Sequence, residues 1–209
     1  MSTILVLNSS VYGDASVTRT LVAETVWRLQ VADPDARVLE HDLGATPLPH
    51  LSTASIAGVR GTPASSVELE TRAVSDALIA ELHSADTIVI GSPMYNFSIA
   101  TGLRAWFDHV LRAGLTFKYS EAGPEGLVTD KRVIVVTARG GLYTEGPTRP
   151  YDFQEPYLRH LLGFMGMTDV AFVHAERIGY GPEAREAAVE QARAQLGALV
   201  SERPTLSPA

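Results

Sequence analysis

Short apolar runs alternate with helical patterns along the whole chain, and this alternation most constrains its fold. Between the runs, apolar residues recur at helical spacing, as with Leu21, Val22 and Leu29 after the first run. Continuous apolar strands separated by helices are typical of a parallel sheet with helices on both faces. The predicted strands cover residues 3–7, 37–41, 87–90, 133–136 and 169–174. The later predicted helices cover residues 66–83, 98–112, 156–165 and a last segment from Pro182.

The pattern predicts one three-layer α/β domain over residues 1–200 and a disordered tail at residues 201–209. Residues 43–63 are polar and contain proline and glycine, so we expect them to form a surface excursion. In parallel sheets of this kind, ligands bind beyond the carboxyl ends of the strands. The loops after the first, third and fourth strands are therefore the candidate sites.

Composition excludes several classes of function. The net charge of −7 and the pI near 5.3 argue against a nucleic-acid binder, which needs a basic face. The chain has no cysteine, which excludes disulfides, thiolate metal sites and dithiol redox chemistry. Any redox function would therefore need a bound organic cofactor.

The apolar runs are too short for a membrane span or an export signal. The run near the start covers residues 4–7, and no run approaches the roughly 18 apolar residues of a membrane helix. We therefore expect a soluble, cytoplasmic protein that does not bind membranes.

Common catalytic motifs are missing from the sequence. The six histidines lack metal-ligand spacing, so no metal site is expected. No serine-hydrolase elbow, P-loop or GxGxxG dinucleotide fingerprint is present. A small hydrolase on this fold would need a nucleophile and a base that the sequence does not reveal.

The first loop is rich in hydroxyl groups and leads into a helix. The start of a helix presents unpaired N–H groups, which bind phosphate without lysine or arginine. Ser10, Ser16 and Thr18 are placed to complete such a phosphate site. The alternative is that Ser16 is simply a helix N-cap, a position where serine is common.

The second loop follows an apolar strand and combines soft apolar side chains with one amide. Pro93 stiffens its turn, while Met94, Tyr95 and Phe97 offer apolar surface. Asn96 has both a donor and an acceptor, which suits the carbonyl and N–H edge of an isoalloxazine ring. The alternative is a loop whose aromatic rings cover the core.

The third loop, residues 137–141, ends in two glycines. Gly140 and Gly141 allow the backbone to approach a planar ligand and direct N–H groups at it. Arg139 would add positive potential near the pyrimidine end of a flavin. The alternative is an ordinary turn after a strand.

These loops resemble those of the bacterial FMN-dependent NADH azoreductases, also described as quinone oxidoreductases. The resemblance spans nearly the whole chain and rests on PMYNF at 93–97, FKY at 117–119, GPEGL at 123–127 and AERIGYGP at 175–182. It implies a flavodoxin-like fold with five parallel strands in the order 2-1-3-4-5. It further implies bound FMN, NADH or NADPH as electron donor, and a quinone or azo compound as acceptor. Two electrons would pass in a ping-pong sequence, with no side chain acting as a catalytic group.

The resemblance also assigns the site residues. Backbone N–H groups around Gly140 and Gly141 would stabilise the negative charge that reduction places near N1 and C2=O of the ring. The family often has serine where this chain has Ala138, so one possible hydroxyl contact is lost. The assigned phosphate contacts are Ser10, Ser16, Val17 and Thr18; the ribityl and ring contacts are Pro93, Met94, Tyr95, Asn96 and Phe97; the other ring edge is Ala138, Arg139, Gly140 and Gly141; and the substrate pocket contains Tyr119 and Phe164.

A symmetric homodimer follows from two considerations. The resemblance implies a flavin site that a second subunit completes, and closed twofold dimers are the commonest oligomers. Trp106 and Phe107 give the helix at 98–112 a wider apolar stripe than one core face needs. The alternative is a monomer that buries these two aromatic residues in its own core. A flavodoxin that carries single electrons to protein partners is the main alternative function, but its T/S-x-T-G-x-T phosphate loop is missing here.

Overall fold

The computed structural model describes residues 1–201, and its centre is a five-stranded parallel sheet. Its strands are β1 (Thr3–Asn8), β2 (Arg37–Asp42), β3 (Thr87–Pro93), β6 (Arg132–Ala138) and β7 (Asp169–Ala175), and a separate antiparallel hairpin contains β4 (Phe117–Ser120) and β5 (Gly123–Gly126). The sheet order is β2-β1-β3-β6-β7, which is the predicted order for the five expected strands.

Helices cover both faces of this sheet. They are α1 (Val17–Ala32), α2 (Ile56–Arg60), α3 (Ser66–Ser84), α4 (Thr101–Val110), α5 (Glu155–Phe164) and α6 (Pro182–Ser201). Alternate strand residues point to opposite faces, so Leu5 and Ile88 pack with α3, α4 and α5, while Ile4 and Val89 pack with α1 and α6. The predicted α/β architecture is therefore confirmed, with two apolar cores separated by the sheet.

Some predicted boundaries differ from those in the structure, and two elements were not predicted. The surface excursion at 43–63 contains α2, and the segment after α4 forms the β4–β5 hairpin. β3 and β6 run on to Pro93 and Ala138, because these residues pair with each other in the ladder. The predicted tail began at Ser201, which instead ends α6; residues 202–209 lie outside the described part of the chain.

The α4 helix does not expose the wide apolar stripe that was expected of it. Trp106 and Phe107 are 1% and 0% exposed, so they belong to the core of a single chain. The segment after β2 crosses the helix, since the carbonyl of Pro49 lies 2.9 Å from His109 Nε2. Because this segment covers a second face of α4, the helix gives no support to a dimer, and that part of the sequence argument was wrong.

Residues 1–201 contain neither a membrane-spanning helix nor a metal-binding cluster. None of the helices in this range is both long and apolar enough to cross a bilayer. The same range contains no cluster of three histidine or acidic side chains arranged to hold a metal ion.

Candidate functional site

The three predicted loops meet at one edge of the sheet. β1, β3 and β6 are neighbours, so their carboxyl ends lie side by side, and the chain order reverses at β1 and β3. Ser9 joins the first two loops, because its N–H and its hydroxyl both donate to the Gly91 carbonyl, at 3.1 and 2.7 Å. Met94 joins the second and third, because its N–H donates to the Ala138 carbonyl at 2.9 Å. The structure therefore brings together the three loops that the sequence assigned to one site.

The first loop forms a hydroxyl-lined start of α1. Ser10, Ser16 and Thr18 are all buried. Ser16 Oγ accepts the Arg19 N–H at 3.2 Å and lies 3.0 Å from Thr18 Oγ1, which confirms the N-cap interpretation of Ser16. The first N–H groups of a helix have no partner within it. The N–H groups of Val17 and Thr18 are therefore positioned for an anion, so capping and anion binding are compatible here.

Tyr95 connects the second loop to the first. Its phenol oxygen lies 3.3 Å from Ser10 Oγ and accepts the Val11 N–H at 3.2 Å. The two residues after it have positive φ angles, 48° at Asn96 and 71° at Phe97. Non-glycine residues seldom adopt this conformation, and it concentrates at functional sites. The tight turn leaves Phe97 49% exposed, and its ring centroid lies 6.2 Å from that of Tyr143, which follows the third loop.

Three carbonyl groups of the third loop bond to the turn after β7. The N–H groups of residues 178, 179 and 177 donate to the carbonyls of Arg139, Gly140 and Gly141, at 3.2, 3.0 and 2.9 Å. In a trans peptide the N–H points opposite to the C=O, so the N–H groups of Gly140 and Gly141 face away from that turn. A Cβ at Gly140 would meet no atom within 4 Å. The loop thus directs two donors away from that turn, and the space beside Gly140 is open.

The Arg139 side chain does not point into that space. It is 0% exposed, and its guanidinium lies 3.1 Å from Asp152 Oδ2 and 3.3 Å from Glu176 Oε1. The structure therefore gives no support to the expected positive potential beside a flavin ring, because these carboxylates match the charge. Glu176 was missed as a participant, although it lies inside the AERIGYGP motif at 175–182.

Ala138 and Pro93 contribute through the backbone. They pair with each other at the last register position of β3 and β6, and both are buried. Ala138 therefore helps to hold the second and third loops at a fixed separation.

Tyr119 and Phe164 lie together, but far from the three loops. Both rings contact Phe117, at centroid distances of 5.5 and 4.7 Å, and Tyr119 is 73% exposed beside a cavity of about 580 Å³. Phe164 ends α5, which begins beside Arg139 at Glu155. Nine helical residues span about 14 Å, so this cluster lies toward the opposite edge of the sheet. No hydrogen bond, ion pair or ring contact among residues 1–201 links it to the loops.

The residues at the loops suit a phosphorylated, planar, partly apolar ligand. Hydroxyl groups and a helix start suit the phosphate, and the exposed Phe97 ring with Met94 suits a flat aromatic system. The paired N–H groups of Gly140 and Gly141 suit a carbonyl edge that gains negative charge. This set of donors and surfaces fits FMN.

Sequence comparisons agree with this description. Residues 2–200 match a protein family that is described by its flavodoxin-like fold. An FMN-dependent NADH:quinone oxidoreductase of Hyphomonas neptunium is 59% identical over 99% of this chain and 100% of its own length. The FMN-dependent NADH:quinone oxidoreductase 3 of Pseudomonas aeruginosa is 47% identical over 94% of this chain and 92% of its own.

Solved structures show the same architecture. The azoreductase of Bacillus anthracis strain Sterne aligns with a TM-score of 0.88 at 28% identity, covering 97% of this chain and all of that one. A second Bacillus anthracis protein, an FMN-dependent NADH-azoreductase in complex with FMN, aligns with a TM-score of 0.84 at 22% identity. It covers 96% of this chain and 100% of its own.

Proposed function

The chain belongs to the family of FMN-dependent NADH:quinone oxidoreductases with the flavodoxin-like fold, and we propose that it transfers two electrons from NADH or NADPH to quinones or azo compounds. The observation that carries this proposal is the meeting of the three loops at the carboxyl edge of the sheet. We also propose that the protein is located in the cytoplasm.

The residues divide the binding of FMN between them. Ser16, Thr18 and the first N–H groups of α1 would hold the phosphate, because hydroxyls and a helix start stabilise its charge. Asn96 and Phe97 would lie beside the ring, and the N–H groups of the glycine pair would hold its carbonyl edge. When bound, FMN would supply the redox chemistry: it accepts a hydride from the nicotinamide and passes the electron pair to the acceptor.

The donor and the acceptor would use the same place in turn. The sequence contains no dinucleotide fingerprint, so no second nucleotide site is expected. Initial rates measured against both substrates should therefore give parallel double-reciprocal lines. Intersecting lines would indicate a ternary complex and contradict the alternating sequence.

We further propose a symmetric dimer in which each pocket combines two chains. Tyr119 and Phe164 were assigned to the substrate pocket, yet within one chain they lie toward the sheet edge opposite the loops. A second copy could bring them to the loops, where exposed aromatic side chains gather. Phe97, Tyr151 and Phe153 are 49%, 55% and 60% exposed there. A closed twofold arrangement would complete both pockets at once.

Reconstitution tests the proposed function. The purified chain should retain FMN after removal of free cofactor. Under anaerobic conditions it should then oxidise more than one equivalent of NADH per bound FMN only when a quinone or an azo dye is present. A yellow protein that NADH cannot reduce would instead favour a one-electron carrier. A protein that retains no FMN would contradict both functions.

A further inference from the structure

Arg139 is the one arginine among residues 1–201 that is fully buried, and it lies directly before the glycine pair. Its Nε donates to Gln154 Oε1 at 2.9 Å and its Nη1 donates to Glu176 Oε1 at 3.3 Å. Its Nη2 is 3.1 Å from Asp152 Oδ2, at an angle that is not that of a hydrogen bond. Nη2 also lies 3.8 Å from Glu155 Oε2, so the cation has four partners from two different segments of the chain.

Each of these partners orders a further piece of backbone. Glu176 Oε1 accepts the N–H groups of Tyr143 and Thr144, at 2.7 and 3.1 Å. Asp152 Oδ1 accepts the N–H groups of Gln154 and Glu155, at 2.9 and 3.1 Å, where α5 begins. Gln154 is 0% exposed and donates to the Ser92 carbonyl, at the end of β3, at 2.9 Å. Through these side chains the guanidinium is linked to three pieces of backbone: the segment after the glycine pair, the start of α5 and the end of β3.

A buried charge is costly, and an apolar side chain of similar volume often stabilises a fold at least as well. Stability alone therefore does not account for an arginine here. The backbone around it offers a reason. Glu176 precedes the turn whose N–H groups at 177–179 bind the three loop carbonyls, so the Arg139–Glu176 pair joins the loop and that turn through side chains as well.

We propose that Arg139 and Glu176 are positioning residues that fix the direction of the Gly140 and Gly141 N–H groups, and through them the affinity and reduction potential of bound FMN. They would act through the backbone, because Arg139 is 0% exposed and the Glu176 side chain is 11% exposed. The inference rests on the proposed function, since it assigns these N–H groups to the ring edge that gains charge on reduction. Donors held in place before the reaction stabilise that charge best.

The test uses three variants of the full chain. Arg139→Lys keeps the charge but loses the planar set of donors, and Glu176→Gln keeps the shape but loses the charge. Arg112→Lys is the matched control, because Arg112 is 6% exposed and donates to Ser75 Oγ at 2.9 Å in a cluster on α3. The measurements are the FMN dissociation constant, the midpoint potential of bound FMN and the thermal stability of each apoprotein.

Arg139→Lys and Glu176→Gln should weaken FMN binding about tenfold, equivalent to one or two misdirected hydrogen bonds. They should also make the midpoint potential of bound FMN more negative. The reduced ring carries the negative charge, so it loses more stabilisation by the N–H groups than the oxidised ring does. The control should lose thermal stability without changing either quantity. Amide hydrogen exchange at residues 140–144 of the apoprotein should speed up only in the first two variants.

An unchanged FMN affinity and potential in both variants would overturn the inference, as would an equal change in the control. If Arg139→Lys does not fold, Glu176→Gln decides alone, since its side chain is partly exposed and its shape is kept. A wild-type chain that binds no FMN would instead refute the proposed function. The two failures are therefore distinguishable.

Discussion

Removing the two hydroxyls at the start of α1 should weaken FMN binding more than it weakens the fold. The double variant Ser16→Ala/Thr18→Val removes both members of the 3.0 Å hydroxyl pair. Replacing both partners by apolar groups of similar shape leaves neither unsatisfied. If these hydroxyls bond to the phosphate, their loss should cost about 1–3 kcal/mol of binding, or roughly 5- to 150-fold in dissociation constant.

The same variant also removes a helix cap, which must be separated from the effect on binding. Ser16 Oγ accepts the Arg19 N–H, and losing such a cap costs about 1 kcal/mol, or about 2–4 °C in Tm for a domain of this size. Ser65→Ala is the matched control, because Ser65 Oγ caps α3 through the Glu68 N–H. The control should lose a similar amount of stability and keep its FMN affinity.

Titration of each apoprotein with FMN, followed by flavin fluorescence, measures the FMN dissociation constant. Thermal unfolding of the apoproteins measures the stability that is lost with the helix cap. The reasoning is refuted if the double variant loses stability like Ser65→Ala and still binds FMN as the wild type does. In that case Ser16 is a cap only, and the phosphate lies elsewhere.

Other predictions test the surroundings of the site. Gly44→Ala should destabilise the apoprotein and weaken FMN binding, because the new Cβ would lie 2.1 Å from the Ser10 carbonyl oxygen. An unchanged Tm together with an unchanged FMN dissociation constant would contradict this. Light scattering should give twice the 22.4 kDa of one chain, and a fully active monomer would exclude the composite pocket. Tyr119→Ala should alter the KM for the acceptor while FMN affinity stays constant, whereas an unchanged KM would remove this residue from the pocket. The hydrogen bond with His174 lowers the pKa of the Glu155 carboxyl from 4.5 to about 2, so this group stabilises the fold above its unfolded pKa and stops doing so as pH falls through about 2. The stability difference between wild type and Glu155→Gln should therefore shrink as pH falls between those values, and a constant difference would show that the pair does not act in this way.

The strands were predictable because their apolar residues are continuous, and the loops were predictable because they follow those strands at one edge. Their pairing beyond residues 90 and 136 was not, since it depends on neighbours such as Pro93 and Ala138 in the ladder. Trp106 and Phe107 were misread because the segment that covers α4 comes from a distant, polar stretch without an apolar pattern.

The sequence also could not show which way the Arg139 side chain points. An arginine after a strand and before a glycine pair is compatible with contact to an anionic ligand or with an internal ion pair. The choice was made by carboxylates that come from Asp152 and Glu176, far along the chain. Helix α2 was missed because its five residues give too short a periodic pattern.

The central claim is that FMN held at the three loops exchanges electron pairs with NADH and then with a quinone. The most direct measurement is an anaerobic titration of the FMN-loaded chain. One equivalent of NADH per bound FMN should bleach the flavin absorption, and one equivalent of quinone should restore it while the FMN stays bound. A loaded chain whose flavin absorption NADH leaves unchanged, or whose bleached flavin a quinone does not restore, would contradict the account.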